Sequence, residues 1–176
     1  MDKRLINHSG ITLIELLMAL VVMFLLLTIA LPSFLESFNR QKVTGIGDNL
    51  NSLLLFAKAE SATQGQRVWL RLQVDNTNPT QWRVALTEQA SCDFTSDSPC
   101  LIDDIKREFN SEQYPGVSMI TNMTSISVDP LRGRGTAGST TFSISNSDVQ
   151  FRRTQFGSHK ICTSFQSMLS RYPLCN

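Results

Sequence analysis

Ile11-Thr12-Leu13-Ile14-Glu15-Leu16-Leu17-Met18-Ala19-Leu20-Val21-Val22-Met23-Phe24-Leu25-Leu26-Leu27-Thr28-Ile29-Ala30-Leu31 is the stretch on which the reading of this chain turns. From Leu16 to Leu31 every residue is apolar except Thr28. At about 1.5 Å of rise per residue the stretch forms a helix of roughly 30 Å, the thickness of a bilayer core. The core helix of a small domain carries an apolar stripe on one face only, whereas this one is apolar all round. One residue breaks the pattern. Glu15 lies inside the span, where an ionised group costs roughly 2.5 kcal/mol or more unless it finds a partner. A plain anchor has no use for it.

Outward from this stretch, Met1–Gly10 is polar and holds Lys3 and Arg4. Positive charge ahead of a span favours leaving the N-terminus in the cytoplasm and the rest of the chain across the membrane. A cleavable secretory signal has an apolar region of about 7–15 residues and a small-residue cleavage site. Here the run is longer, and Ala30-Leu31-Pro32 does not fit that site.

The segment His8-Ser9-Gly10-Ile11-Thr12-Leu13-Ile14-Glu15-Leu16 resembles the class III leader and helix start of type IV pilins and type II secretion pseudopilins. The resemblance implies cleavage by prepilin peptidase after Gly10 and N-methylation of Ile11, at a position where the family usually has Phe. It places Glu15 at the family's glutamate and Pro32 at the family's proline. It also implies a role for the carboxylate. In a filament core the glutamate pairs with the free α-amino group of a neighbouring subunit, which offsets part of its burial cost and sets the register.

Beyond Pro32 an apolar stripe continues through Phe34, Leu35 and Phe38. Val43, Ile46, Leu50, Leu53, Leu54 and Ala57 then recur at steps of three and four, with Arg40, Lys42, Asp48, Asn49, Lys58 and Glu60 on the other faces. This is an amphipathic helix with one face on a core. The pattern predicts one helix from about Thr12 to about Gln64, stopped at Gly65 and broken or softened near Pro32 and Gly45–Gly47. Gly45 and Gly47 read equally as a segment that melts during assembly or as tolerated glycines.

After Gly65 the period changes from helix to strand. Val68, Leu70, Leu72 and Val74 alternate with polar residues, and Trp82, Val84 and Leu86 do so again after a turn signal at Asn76–Thr80. Trp69 and Trp82 read as a cross-strand pair. Leu101–Phe109 is ambiguous and suits a short helix. Further strands are expected at Val117–Ile120, Ser125–Val128, Thr140–Ser145, Val149–Thr154 and Lys160–Ser164, with Arg132–Gly138 as a glycine-rich loop. A long helix followed by six or seven short strands is an α+β pattern with a mostly antiparallel β domain. Pilins share this plan. Ala57, Ala59, Glu60 and Ser61 ahead of Val68 are similar to the FimT/FimU and pseudopilin H branch. The expected organisation is a leader at 1–10, an apolar helix half at 11–32, an amphipathic half at 33–65 and a globular β domain at 66–176.

The 176 residues carry 16 Lys+Arg and 15 Asp+Glu. Near-neutral charge argues against a nucleic-acid binder working by bulk electrostatics. The charge is uneven, however. Residues 11–129 have a net charge of −5, and residues 130–176 a net charge of +5. Arg132, Arg134, Arg152, Arg153 and Lys160 are therefore candidate phosphate contacts. Some FimT-type minor pilins carry a Gly-Arg-x-Arg pattern associated with DNA capture. The local equivalent is Gly157-Ser158-His159-Lys160, with Ser158 in place of the first arginine; Arg132-Gly133-Arg134-Gly135 is a second candidate.

Cys92, Cys100, Cys162 and Cys175 lack C-x-x-C spacing, which argues against a zinc site or thioredoxin chemistry. In an oxidising compartment disulfides are the default, and four cysteines allow three connectivities. The local pairing Cys92–Cys100 and Cys162–Cys175 closes a polar loop and pins the tail. The resemblance favours the second pair, since major pilins pin a C-terminal loop in the same way. No catalytic motif, cofactor site or metal site is expected: His159 stands alone once the leader is gone, and no G-x-x-x-x-G-K-[ST] occurs.

The resemblance thus implies a minor pilin of the FimT/FimU type. Its partners are other minor and major pilins or pseudopilins, prepilin peptidase, the inner membrane and, on one reading, DNA. Its location is the bacterial inner membrane with a periplasmic C-terminal domain, and then the filament. A minor pseudopilin of type II secretion is the alternative.

Overall fold

The structure, a computed structural model, describes residues 12–92, 94, 100–131, 136–164 and 171–175. One helix, α1 (Leu13–Gln64), precedes eight strands. Thr12 caps its start: the Glu15 N–H donates to Thr12 Oγ1 at 3.3 Å. Gly65, at φ +67°, ends it in the left-handed conformation that glycine adopts freely.

The helix runs unbroken through Pro32, Gly45 and Gly47, where a break or softening is expected from sequence. A proline removes one backbone donor. The turns that precede Pro32, residues 25–31, are leucine-rich and of good helix propensity, and from Val43 onward the inward face of the helix is held by the core.

The chain divides into two compact units, one ending at Phe38 and the other beginning at Asn39. In the first, every described residue is exposed, from Leu13 and Ile14 through Phe34, Leu35 and Phe38. In the second, Val43, Ile46, Gly47, Leu50, Leu54, Ala57 and Ser61 turn inward at three- and four-residue steps. They face the core that the strands complete.

The strands are β1 (Val68–Val74), β2 (Trp82–Thr87), β3 (Glu108–Asn110), β4 (Ser118–Thr121), β5 (Ser125–Val128), β6 (Gly138–Ile144), β7 (Ser147–Arg153) and β8 (His159–Cys162). They form two antiparallel four-stranded sheets, in the orders β3-β2-β1-β5 and β4-β6-β7-β8. The alternation in β1 and β2 sends Val68, Leu70, Leu72, Trp82, Val84 and Leu86 to the core. Their turn is built from side chains. Asp75 Oδ1 accepts the Thr77 N–H and hydroxyl, each at 2.7 Å, and Asn78 Oδ1 accepts the same two groups of Thr80. Those Thr77 donors hold the Asp75 carboxyl below its ordinary value.

The two tryptophans are not a cross-strand pair. The β1–β2 register puts Trp69 opposite Thr87 and Trp82 opposite Val74, so the indoles lie on opposite faces of the sheet. Trp82 instead sits at the centre of an aromatic cluster. Phe142 lies 5.0 Å away edge-on and Phe109 5.8 Å away edge-on, and Tyr114 stacks at 6.3 Å. Its indole N–H donates to the Val117 carbonyl at 2.8 Å, so the buried polar atom is satisfied.

Residues 101–109 form no short helix. Ile102 and Ile105 exchange both backbone hydrogen bonds around Asp103 and Asp104, which sit at φ +50° and +58°, and β3 follows. This is the geometry of a two-residue hairpin turn. Gln64 Nε2 reaches across from α1 to Asp103 Oδ1 at 2.8 Å.

Candidate functional site

Three places on the molecule carry residues with a claim to function. At the start of α1, Glu15 is exposed in the first turn, where its negative charge suits the positive helix end. Gly10 and Ile11 lie outside the described residues. Pro32 is exposed within α1. The helix is long and apolar enough to cross a membrane by length and composition, and its most apolar window buries nothing within the protein.

The second place joins α1 to the C-terminal segment. Cys162 in β8 is disulfide-bonded to Cys175, and Cys92 to Cys100. Thr163 binds the returning chain twice: its N–H donates to Pro173 O at 2.9 Å, and its carbonyl accepts the Cys175 N–H at 3.0 Å. So tethered, Tyr172 lies on the helix. Its hydroxyl donates to Asp48 Oδ1 at 2.7 Å, with the Thr44 carbonyl 3.2 Å away, and Arg171 pairs with Asp48 Oδ2 at 3.3 Å. Burial and the Asp48 carboxylate together push the Tyr172 phenol well above its ordinary pKa.

This contact accounts for Gly47. A Cβ there would stand 2.7 Å from the Tyr172 hydroxyl oxygen. Gly45 differs: a Cβ there would lie 3.4 Å from the Tyr114 ring, an ordinary contact, and Tyr114 accepts a hydrogen bond from Asn49 Nδ2 at 2.6 Å. Gly47 is thus the seat of a tyrosine, which neither sequence reading supposed, while Gly45 fits the reading of a tolerated glycine. A G-x-G inside a helical pattern was the available signal that something approaches the backbone closely.

The third place is the basic end of β7 and β8. Arg152 and Lys160 are directly opposite in register and both exposed. Like charges so placed repel. Arg152 Nε donates to Gln150 Oε1 at 2.7 Å, and Lys160 Nζ reaches the Leu174 carbonyl at 3.4 Å. Arg153 points the other way. It is only 5% exposed and donates to Ser127 O in β5 at 2.8 Å, tying the two sheets together. Burial lowers its pKa. The structure therefore separates Arg153 from Arg152 and Lys160, with which the sequence groups it. Arg132 and Arg134 lie outside the described residues.

His159 stacks on Phe151, and its Nδ1 lies 3.5 Å from Lys58 Nζ. Burial, then Lys58 and Arg153, hold its pKa below the ordinary value, so the neutral ring is favoured as an acceptor for Lys58. Among the described residues no group of three His, Cys, Asp or Glu side chains is placed to hold a metal ion.

The sequence model of the family described as type II transport protein GspH matches residues 47–160, most of the second compact unit. The chain belongs to the GspH family. The match begins at Gly47, beneath Tyr172, and ends at Lys160, so it takes in the amphipathic turns of α1 and the strands as far as β8.

The GspH-family chain has the fold of the type IV minor pilin FimU of Pseudomonas aeruginosa. One crystal form of FimU matches with a TM-score of 0.51 and 11% identity, over 73% of this chain and 96% of that one. A second crystal form gives a TM-score of 0.48 and 11% identity, over 70% and 98%. No curated protein sequence matches the chain. The chain is thus a member of the family described as type II transport protein GspH, with a fold that it shares with a type IV minor pilin. A single apolar N-terminal helix accords with a membrane anchor.

Proposed function

We propose that the chain is a minor pilin that takes part in type IV pilus assembly or initiation, packed in the filament or at its tip. It is a structural subunit, without catalysis and without a cofactor. The observation that carries this reading is α1 itself: a helix wholly exposed up to Phe38, with a carboxylate in its first turn, joined to a globular unit of the GspH family. Apolar surface of this extent is stable only in lipid or against other helices.

In the proposed sequence of events the chain enters the inner membrane with its C-terminal unit in the periplasm. Prepilin peptidase cuts after Gly10, and Ile11 is methylated. In the filament Glu15 pairs with the α-amino group of a neighbouring subunit, and Pro32 marks the lipid-embedded end of the helix. The organisation into a leader at 1–10, an apolar half-helix at 11–32, an amphipathic half at 33–65 and a globular domain at 66–176 belongs to the same proposal.

The test is Gly10→Val. Intact-mass measurement on membranes of the native host is expected to find the wild-type chain beginning at methylated Ile11 and the variant retaining residues 1–10. Equal sizes in the two would end the reading. The partners recovered with the mature chain decide between assemblies. Pilus minor pilins support the type IV role, and secretion pseudopilins move the chain to the type II system.

DNA capture is the second reading. What favours it is the exposed Arg152–Lys160 pair, with Phe156 exposed at the adjoining β7–β8 turn. A gel shift of DNA by the full chain at low salt is expected to weaken strongly in Arg152→Gln with Lys160→Gln. An unchanged shift would remove this reading.

A further inference from the structure

Arg71 stands on the outer face of β1, away from α1. Its row neighbours are Ala85 of β2 and Ser125 of β5, neither of which offers a charge. Above it opens a cleft of about 770 Å³, bounded by β1, the segment at Cys92 and the Thr121–Thr124 connection between β4 and β5. The other polar walls include Gln73, Asn76, Asn122 and Thr124, with Phe94 on one side. No carboxylate lines this cleft among the described residues. Arg71 Nε is buried and has no acceptor there. A desolvated donor on a charged group is costly to leave unmade.

A second cleft of about 840 Å³ shares Gln73, Val74, Asn76 and Phe94 with the first and adds Arg83. Arg83 lies opposite Gln73, diagonal to Arg71 on the same face, and holds Phe94 O weakly at 3.4 Å. This neighbouring cleft also carries Asp75 and Glu112. The Asp75 carboxylate is engaged by Thr77.

We propose that the cleft over β1 is a docking site for an acidic segment of a neighbouring subunit, whose carboxylate is taken by Arg71 with Arg83 as the nearby second cation. A guanidinium offers a planar fork that matches a carboxylate with two hydrogen bonds. The surrounding amides and hydroxyls suit a peptide backbone. Asp75 and Glu112 beside the site repel a run of phosphates, which disfavours nucleic acid as the occupant. That the occupant is another subunit rests on the assembly reading above; the anion site itself does not.

The experiment uses the full chain in dodecyl maltoside, labelled with ¹⁵N-arginine. The Arg71 Nε–H resonance is identified by its loss in Arg71→Lys. The probe is the peptide acetyl-Gly-Asp-Glu-Asp-Gly-amide. Its titration is expected to move that resonance saturably, while the Asn/Gln counterpart and inorganic phosphate do not. In Arg71→Gln, checked for native circular dichroism, affinity is expected to fall about tenfold or more, as for one lost charged hydrogen bond; Arg83→Gln is expected to fall less. An unsaturable response, an equal response to either control, or unchanged binding by Arg71→Gln overturns the proposal. None of these readouts depends on cleavage at Gly10. A chain that binds the peptide yet is never cut would sink the assembly reading alone.

Discussion

Phe142→Ala is expected to destabilise the globular unit by about 3–5 kcal/mol, the range for removing a fully buried aromatic side chain. Phe142 has no exposed surface and stands on β6, the second strand of its sheet. Its ring meets Trp82 of β2, in the other sheet, edge-on at 5.0 Å. The truncation therefore leaves a cavity where the two sheets meet and takes from Trp82 one of its three aromatic neighbours. Denaturant unfolding followed by near-ultraviolet circular dichroism reads both effects, since Trp82 lies in the affected cluster. Ile120→Ala on neighbouring β4, at a side chain 68% exposed, serves as the control and is expected to change stability by no more than about 0.5 kcal/mol. A loss below about 1 kcal/mol for Phe142→Ala would show that the sheets do not close on this ring.

The second large effect is expected from Cys162→Ser combined with Cys175→Ser. The bond closes a loop with a sequence separation of 13. In the chain-entropy model its loss costs about 3 kcal/mol. The consequence reaches beyond the strand that holds Cys162. Without the bond the returning chain keeps two backbone hydrogen bonds to Thr163, and Tyr172 and Arg171 hold Asp48 from a segment no longer anchored at its end. Hydrogen exchange should therefore rise around Thr44–Asp48 of α1, far from Cys162 in sequence. A melting midpoint unmoved by the double substitution would overturn the prediction. Unchanged exchange at Thr44–Asp48 would show that Tyr172 seats itself without the tether. Covalent pinning of this kind fits the periplasmic location proposed for the unit.

Which of these features were legible beforehand depends on how local their causes are. The helix was readable because Val43, Ile46, Leu50, Leu54 and Ala57 recur with the helical period and Gly65 stops it. Strand β5 was readable to the residue, and β1 and β2 nearly so, because alternation has a period of two and the turn at Asn76–Thr80 announces itself. Residues 101–109 defeated the periodic reading. Ile102, Ile105 and Phe109 are spaced as on a helix, yet Asp103 and Asp104 take a left-handed turn that no period encodes.

The basic residues show the same limit. Arg152 and Arg153 are consecutive, so in a strand they must point to opposite faces. That one is exposed and the other bridges two sheets from within was implicit in the alternation, and the grouping by charge overlooked it. Arg71 drew no attention at all, because nothing in its local sequence tells that Ala85 and Ser125 will be its neighbours.

By itself the sequence determined an apolar helix with one carboxylate in its first turn, an amphipathic continuation, and a series of short strands, which together amount to the α+β pilin plan. Each of these follows from the spacing of apolar and polar residues along a few turns or one strand. The tertiary structure alone decided that β4 and β5, three residues apart, part into different sheets, that Trp82 faces Phe142 while Trp69 faces outward, and that Tyr172 comes to rest on Gly47. Those choices join residues distant in the chain, as with Asp48 and Tyr172 at a sequence separation of 124. They are made by which set of long-range contacts buries the most apolar surface while leaving the fewest polar groups unpaired.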